Sequence, residues 1–236
     1  LELKLVGDIA GSFRVPRYQR GYRWGKLEVE RLLNDIWDNG DKDYSLQPVV
    51  VKRDAEDAWE LVDGQQRLTT LYLIFIYMQR AGLKNVGPQY SLTYDTRPKS
   101  KDYLQAPDPS LADDNIDFFH LHAAYTCIQA WFELKGPTPI KRQEVGDDVF
   151  RYLCKRVRVI WYEAPKGLDS TTLFTRLNVG RIPLTDAELF KALLLSRSRG
   201  GADKTERTHE IAAQWDGIER DLQHPDVWAF VAAASA

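Results

Sequence analysis

The feature that most constrains the fold is an apolar helix that begins directly after a short strand. Between Leu68 and Arg80, apolar residues occupy every side of the predicted helix. A helix that is apolar all round is buried in the interior of a protein. Residues Trp59 to Val62 predict the preceding strand, so Asp63 and Gly64 must form a tight turn between the two elements. We therefore expect a core in which this helix packs against a sheet.

The spacing of the other apolar residues predicts an α+β fold. A helix is predicted from Lys26 to Asn39, with Gly40 as its C-terminal cap. Thr185 to Glu188 form a capping box that starts a further helix. Residues 7–25 are predicted to be irregular or extended, and 82–109 to be a long surface excursion. The remaining predictions are strands at 48–52, 90–94 and 157–162 and helices through 121–132, 145–152, 168–177 and 211–222.

These elements predict two parts of the chain. Residues 1–110 would form a core built on a small mixed sheet with flanking helices. Residues 111–236 would be mainly helical and would complete the core with the strand near 157–162. The apolar run at the end, 227–236, has no cap residues, which is the basis for expecting that the chain continues.

The charge balance excludes a protein that coats nucleic acid through its overall charge. Lys and Arg number 32 against 34 Asp and Glu, so the net charge is −2. Contacts to DNA would have to come from a local basic patch, and no acid interrupts one run near the start of the chain. That run consists of Arg14, Arg17, Arg20, Arg23 and Lys26.

Cysteine usage and hydropathy predict a cytoplasmic protein without membrane contact. Cys127 and Cys154 lack the spacing of a metal site, and buried thiols are favoured over a disulfide between them. No stretch approaches the ~20 apolar residues that span a bilayer. The start, Leu1 to Lys4, lacks the features of a secretory signal.

The junction between the second predicted strand and the apolar helix predicts a phosphate site. The free amides of a helix's first turn favour an anion, and Gly64 allows its close approach. Gln65 and Gln66 add neutral donors, and the guanidinium of Arg67 suits phosphate oxygens. Asp63 could hold Mg²⁺ or orient a water. The alternative is that Asp63 only caps the helix while the other side chains are solvated.

A second candidate site lies in the segment from Phe13 to Trp24. Its arginines alternate with aromatic or apolar residues, which supplies both phosphate contacts and stacking surfaces. An amphipathic edge strand with solvated arginines would show the same alternation. The candidate DNA-binding residues are Arg17, Tyr18, Gln19, Arg20, Tyr22, Arg23 and Trp24.

Three sequence blocks together resemble a known family. They are Val15 to Trp24, Leu61 to Leu71, and Phe174 to Thr185 with the following Leu189 to Ala192. They resemble the N-terminal domain of GmrSD-type modification-dependent (type IV) restriction enzymes, including SspE-like phosphorothioate-sensing defence proteins. The resemblance implies a ParB/sulfiredoxin-like fold that binds and hydrolyses a nucleoside triphosphate (GTP, UTP or CTP) with Mg²⁺. It implies that residues 1–110 are the nucleotide-binding core and that residues 111–236 lead toward a nuclease module beyond Ala236.

The resemblance also implies roles for residues of this chain. Asp63, Gln65, Gln66 and Arg67 would be catalytic, with Asp63 as the metal ligand. Further nucleotide contacts would come from Gly64, Gln19, Arg20, Thr69 and Asn178. Asn178 has a second interpretation, in which Asn178 and Gly180 only close a helix.

The implied partners are modified double-stranded DNA, carrying a phosphorothioate or a glycosylated or hydroxymethylated base, and an HNH nuclease module further along the same chain. A homo-oligomer is also compatible with the resemblance. We expect no nuclease activity within these 236 residues, because the four histidines form no His-Asn-His constellation. These are His120, His122, His209 and His224.

Two other functions remain open at this point. The domain could be a DNA-binding sensor that keeps the phosphate cradle but does not hydrolyse nucleotide, with DNA affinity that falls steeply with salt. It could also be a protein-interaction scaffold that uses its helical C-terminal part. In that case Arg67→Ala would change neither nucleotide nor DNA binding.

Overall fold

A six-stranded mixed sheet forms the centre of the described part of the protein. The computed structural model describes residues 1–40, 42–54 and 58–178, together with 214–215, 217–218 and 221. Across the sheet the strands lie in the order β1-β6-β3-β4-β2-β5, and the neighbouring pairs are a mixture of parallel and antiparallel. The strands are β1 (Glu2–Leu5), β2 (Gly11–Val15), β3 (Tyr44–Arg53), β4 (Trp59–Asp63), β5 (Tyr90–Tyr94) and β6 (Val157–Glu163).

Helices pack against this sheet, and the predicted α+β class is confirmed. α2 is the central helix that the sequence predicts, because every residue from Leu68 to Met78 is buried. α4 packs on both α1 and α2. In the described residues the helices are α1 (Lys26–Asn39), α2 (Gln65–Arg80), α3 (Ser100–Gln105), α4 (Ile116–Lys135), α5 (Pro139–Lys155) and α6 (Ser170–Asn178).

The two faces of the sheet carry clusters of different size. Side chains alternate across a strand, so Val49 and Val51 of β3 join the large core that contains α2, whereas Val50 points to the opposite face. On that opposite face Val50 and Val62 pack against Phe174 of α6. α6 is therefore held next to the end of β4, where the chain turns into α2.

Several predicted elements are confirmed. The structure has the helix at Lys26–Asn39, with Gly40 at its C-terminus, and the strand at Tyr90–Tyr94. The strands predicted at 48–52, 59–62 and 157–162 are β3, β4 and β6, with β3 starting four residues earlier. The capping box at Thr185 to Glu188 and most of the helix predicted at 211–222 lie outside the described residues.

The predicted irregular or extended region and the predicted surface excursion both contain regular structure. Residues 7–25 include β2, which agrees with an extended course of the chain. Residues 82–109 include the predicted strand β5 and also α3, a helix that the sequence did not predict. The partners of β2, which are β4 and β5, are distant in sequence. The stretch between Val15 and Lys26 has no regular structure, and this stretch, residues 16–25, is called the N-terminal segment below.

The described residues give three further observations on the earlier predictions. Cys127 on α4 and Cys154 on α5 are free thiols. None of the described helices combines the length and the apolar character needed to cross a bilayer. Within the same residues, no three His, Cys, Asp or Glu side chains converge on a point where a metal ion could bind.

Candidate functional site

The junction between β4 and α2 is built on Gly64. Its φ of 96° lies in the left-handed region, which favours glycine. A Cβ atom at this position would lie 3.0 Å from Cγ2 of Val49 on β3, so the neighbouring strand approaches closely as well. No side chain caps the N-terminus of α2, and its first turn contains no acidic residue. The positive end of the helix dipole therefore lies at this junction.

Gln66 connects the first turn of α2 to the N-terminal segment through three hydrogen bonds. Its Nε2 donates to the carbonyl of Gly21 at 3.0 Å. Its Oε1 accepts from the backbone amides of Arg23 at 2.8 Å and Trp24 at 3.2 Å. The side chain thus satisfies backbone groups in a stretch that has no sheet or helix partner for them.

Two more glutamines hold the same segment. Nε2 of Gln65 donates to the carbonyl of Arg20 at 2.9 Å. Nε2 of Gln19 donates to the carbonyl oxygens of Leu61 and Val62 on β4, the latter at 3.0 Å. Gln19 and Gln65 are both buried. The N-terminal segment is consequently docked along the end of β4 and the start of α2.

Arg67 and Asp63 form a pair at the base of the junction. Arg67 is only 7 % exposed, and its guanidinium donates to the carbonyl of Pro48 at 2.5 Å. Its second terminal nitrogen lies 3.9 Å from a carboxylate oxygen of Asp63. The guanidinium therefore links β3, β4 and α2, with the Asp63 carboxylate as its charged neighbour.

Hydroxyl pairs fix the next turn of α2. The hydroxyls of Tyr22 and Thr70 are 2.8 Å apart, and those of Thr69 and Tyr94 are also 2.8 Å apart. Burial raises the pKa of Tyr22 far above its usual value, and its side chain is only 1 % exposed. In this conformation neither Tyr22 nor Thr69 presents a surface to a ligand.

The basic run of the sequence is partly neutralised in the fold. Arg14 pairs with Asp95 at 2.8 Å and also with Glu60 and Asp54. Partial burial lowers the pKa of Arg14, but the carboxylates, Asp95 foremost, outweigh that effect and raise it. Arg23 pairs with Asp117 at 2.8 Å. Two of the five cations thus have acidic partners that the local sequence does not reveal.

The other predicted DNA-binding residues differ in exposure. Arg17 is exposed, Arg20 is half-buried, and Trp24 packs against the core while remaining partly exposed. The ring of Tyr18 lies 5.2 Å from that of Phe174, and its hydroxyl donates to Glu60 at 3.0 Å. Burial, reinforced by Glu60, raises the pKa of Tyr18.

The fold therefore brings together most of the predicted site. The motif from Asp63 to Arg67 and the residues from Gln19 to Trp24 are in direct contact. Asn178 ends α6, and its side chain lies outside what the structure describes. Sequence reasoning missed five residues that contact the site: Pro48, Glu60, Asp95, Arg97 and Asp117. Of these, only Asp117 could have been noticed in the local sequence, because it is an acid in the first turn of a helix, α4.

One known protein family matches most of the chain. The model of the GmrSD restriction endonuclease, N-terminal domain, matches residues 3–195. The chain belongs to this family. The match contains all three blocks that carried the resemblance in the sequence, so the predicted family is confirmed. No curated protein matches the chain with significant similarity.

Membership in the GmrSD N-terminal family makes this domain a module of a restriction system. A restriction endonuclease acts on DNA, so DNA is the partner that the family indicates. In this GmrSD-type domain the junction between β4 and α2 is joined to the N-terminal segment by the side-chain hydrogen bonds of Gln19, Gln65 and Gln66.

Proposed function

We propose that this GmrSD-type domain binds and hydrolyses a nucleoside triphosphate and that this cycle controls a nuclease when modified DNA is recognised. The observation that carries the proposal is the docking of the N-terminal segment across the uncapped N-terminus of α2. Such a helix end favours phosphate oxygens, and the segment adds Arg20 beside it. The triphosphate would be GTP, UTP or CTP.

The residues at the junction divide into two roles under this proposal. Gln65 and Gln66 position the segment, since their side chains already bind its backbone. Arg20, Arg67 and the first amides of α2 would stabilise the negative charge of the triphosphate, which is most of what phosphoryl transfer requires from a protein. Asp63 would orient the attacking water or hold Mg²⁺.

Magnesium fits the chemistry of these residues. Mg²⁺ in nucleotide sites is commonly bound by one or two carboxylates together with substrate phosphates. Asp63 supplies one carboxylate at the end of β4, beside the amides of α2. When bound, the ion would supply charge neutralisation for the phosphates.

Phosphate release provides the direct test. The assay compares GTP, UTP, CTP and ATP turnover with Mg²⁺ for the wild type, for Asp63→Ala and for Asp148→Ala, each with marked and with plain DNA. Asp148 is an acid on α5 with a partly exposed side chain, and among the contacts described for it, it pairs only with its neighbour Arg151. We expect Asp63→Ala to lose about 10²–10⁴-fold in turnover, the usual contribution of a group that positions a proton transfer. Equal turnover in all three proteins would end the hydrolytic proposal.

One observation favours a second candidate, a sensor that binds nucleotide and DNA without hydrolysis. Gln65 and Gln66 are committed to the backbone of the segment, and Asp63 lies next to Arg67, so each polar side chain of the motif has a partner within the protein. This candidate predicts nucleotide binding by calorimetry without phosphate release. Its DNA affinity would fall steeply with salt.

A further inference from the structure

A buried carboxylate lies against the N-terminal segment. It belongs to Asp117, in the first turn of α4, and the residue is 4 % exposed. The side chain of Asn115 caps this helix and accepts from the amides of Asp117 and Phe118, both at 3.0 Å. Phe118 in turn stacks on Tyr103 at 4.2 Å between ring centroids. The backbone of Asp117 is therefore held in place by contacts that do not involve the N-terminal segment.

The carboxylate binds two guanidinium groups. One oxygen of Asp117 accepts from Arg23 of the segment at 2.8 Å. The other oxygen pairs with the guanidinium of Arg97, which lies just beyond β5 and is itself buried. A buried charge is tolerated only when it is paired and hydrogen-bonded. Removing the carboxylate would take a shared negative charge away from the buried Arg97 and the half-buried Arg23, so Asp117 helps to hold both guanidinium groups in position.

The same carboxylate lies directly against the backbone of Gly21. A Cβ atom added to Gly21 would come within 1.9 Å of its Oδ1 atom, so only glycine allows this approach. On its other side the carbonyl of Gly21 accepts from Gln66 of α2. The segment is thus held between Gln66 and Asp117, and Arg23 contacts both of them, through its amide and its guanidinium respectively.

We propose that Asp117 is a positioning residue that fixes residues 20–24 over the N-terminus of α2. It acts through Arg23 and through its packing against Gly21, and it thereby sets the position of Arg20. The consequence for nucleotide binding rests on the proposed function, because Arg20 matters there only if the junction binds a triphosphate. The anchoring of the segment itself does not depend on that proposal.

Hydrogen exchange at two amides measures the anchoring directly. The amides of Arg23 and Trp24 donate to Gln66, so their exchange reports whether the segment stays docked. Asp117→Asn removes the negative charge that binds the guanidinium groups of Arg23 and Arg97. Because charge-assisted hydrogen bonds are then lost, the segment should open more often, and we expect these two amides to exchange at least about tenfold faster. The amides in the middle of α2 should keep their protection. Asp148→Asn, which neutralises an exposed ion pair, is the matched control and should change neither region.

A second readout is the nucleotide dependence of turnover. We expect Asp117→Asn to raise KM for the triphosphate by about tenfold, the loss expected for a charged hydrogen bond to the phosphates, while kcat changes less. If the wild type neither binds nor hydrolyses nucleotide, the proposed function fails, whereas faster exchange confined to residues 20–24 would still support the role of Asp117.

Two results would overturn the inference. One is unchanged exchange at Arg23 and Trp24 in Asp117→Asn. The other is faster exchange spread equally over α2 and the sheet, which would show a general loss of stability and no local positioning. Should Asp117→Asn fail to fold, Arg23→Gln removes the partner from the less buried side, and the same two amides are read with the same criteria.

Discussion

The strongest quantitative expectation concerns Gln66, because its contribution can be worked out from its contacts. Gln66→Met keeps an unbranched side chain of similar size but removes three hydrogen bonds to the backbone of residues 21, 23 and 24. Each bond contributes about 0.5–1.5 kcal/mol net, so the three together contribute roughly 1.5–4.5 kcal/mol, and water can reach this half-buried position and replace part of the loss. The expected decrease in the free energy of unfolding is therefore roughly 2–4 kcal/mol.

Thermal unfolding followed by circular dichroism measures this decrease. For a protein of this size, 1 kcal/mol corresponds to about 2–4 °C in Tm, so Gln66→Met should unfold roughly 5–15 °C lower than the wild type. The control is Gln129→Met, which removes one exposed hydrogen bond to Glu133 and should change stability by no more than about 0.5 kcal/mol. If the two variants unfold at the same temperature, the glutamine does not fasten the N-terminal segment and the structural reasoning about the motif is refuted.

Three more expectations follow from the described geometry. Gly64→Ala should lose about 1–3 kcal/mol of stability in urea unfolding, because alanine is strained at its φ of 96° and would press on β3; an unchanged midpoint would contradict this. Burial, with a contribution from Glu30, raises the pKa of Cys127 to about 11, so its reactive thiolate is scarce at pH 8. Alkylation of Cys127 by iodoacetamide should therefore be slow at pH 8 and should still accelerate above pH 10; a rate that reaches its plateau below pH 9 would refute the raised pKa. Arg17 is exposed, so Arg17→Ala should reduce the salt dependence of DNA binding by about one released ion. Arg14 is already paired with Asp95, so Arg14→Ala should leave the salt dependence unchanged; equal effects of the two variants would show that this pairing does not keep Arg14 from binding DNA.

Local patterns were sufficient to predict the elements whose stabilising contacts are nearby in sequence. The helix at Lys26–Asn39 shows regular apolar spacing and a terminal glycine, and both its ends are as predicted. β1 and β2 could not be found in the same way, because β1 pairs with β6 and β2 with β4 and β5. β3 extends through Pro48, a residue that disfavours strands, and the pairing there is irregular, as expected where proline interrupts a ladder.

For the candidate site, the sequence indicated which segments meet but not which groups they bind. The sequence indicated that the residues after β4 and the segment before α1 belong together, and the structure brings them into contact. It could not indicate which groups the glutamines bind, since a glutamine offers the same donors and acceptors to a ligand and to a backbone. The basic run appeared uninterrupted for a similar reason: the acids that pair with Arg14 and Arg23 come from residues 54 to 117.

The position of β6 has a consequence for the synthesis of this protein. Residue 2 pairs with residue 161, and β6 lies between β1 and β3 in the sheet. During translation β1 and β3 cannot pair with β6 until residue 163 has left the ribosome, and contacts over such long sequence distances make folding slow. Until then the nascent chain has open strand edges that invite aggregation, and β1 acquires its place in the sheet only after β6 has been made.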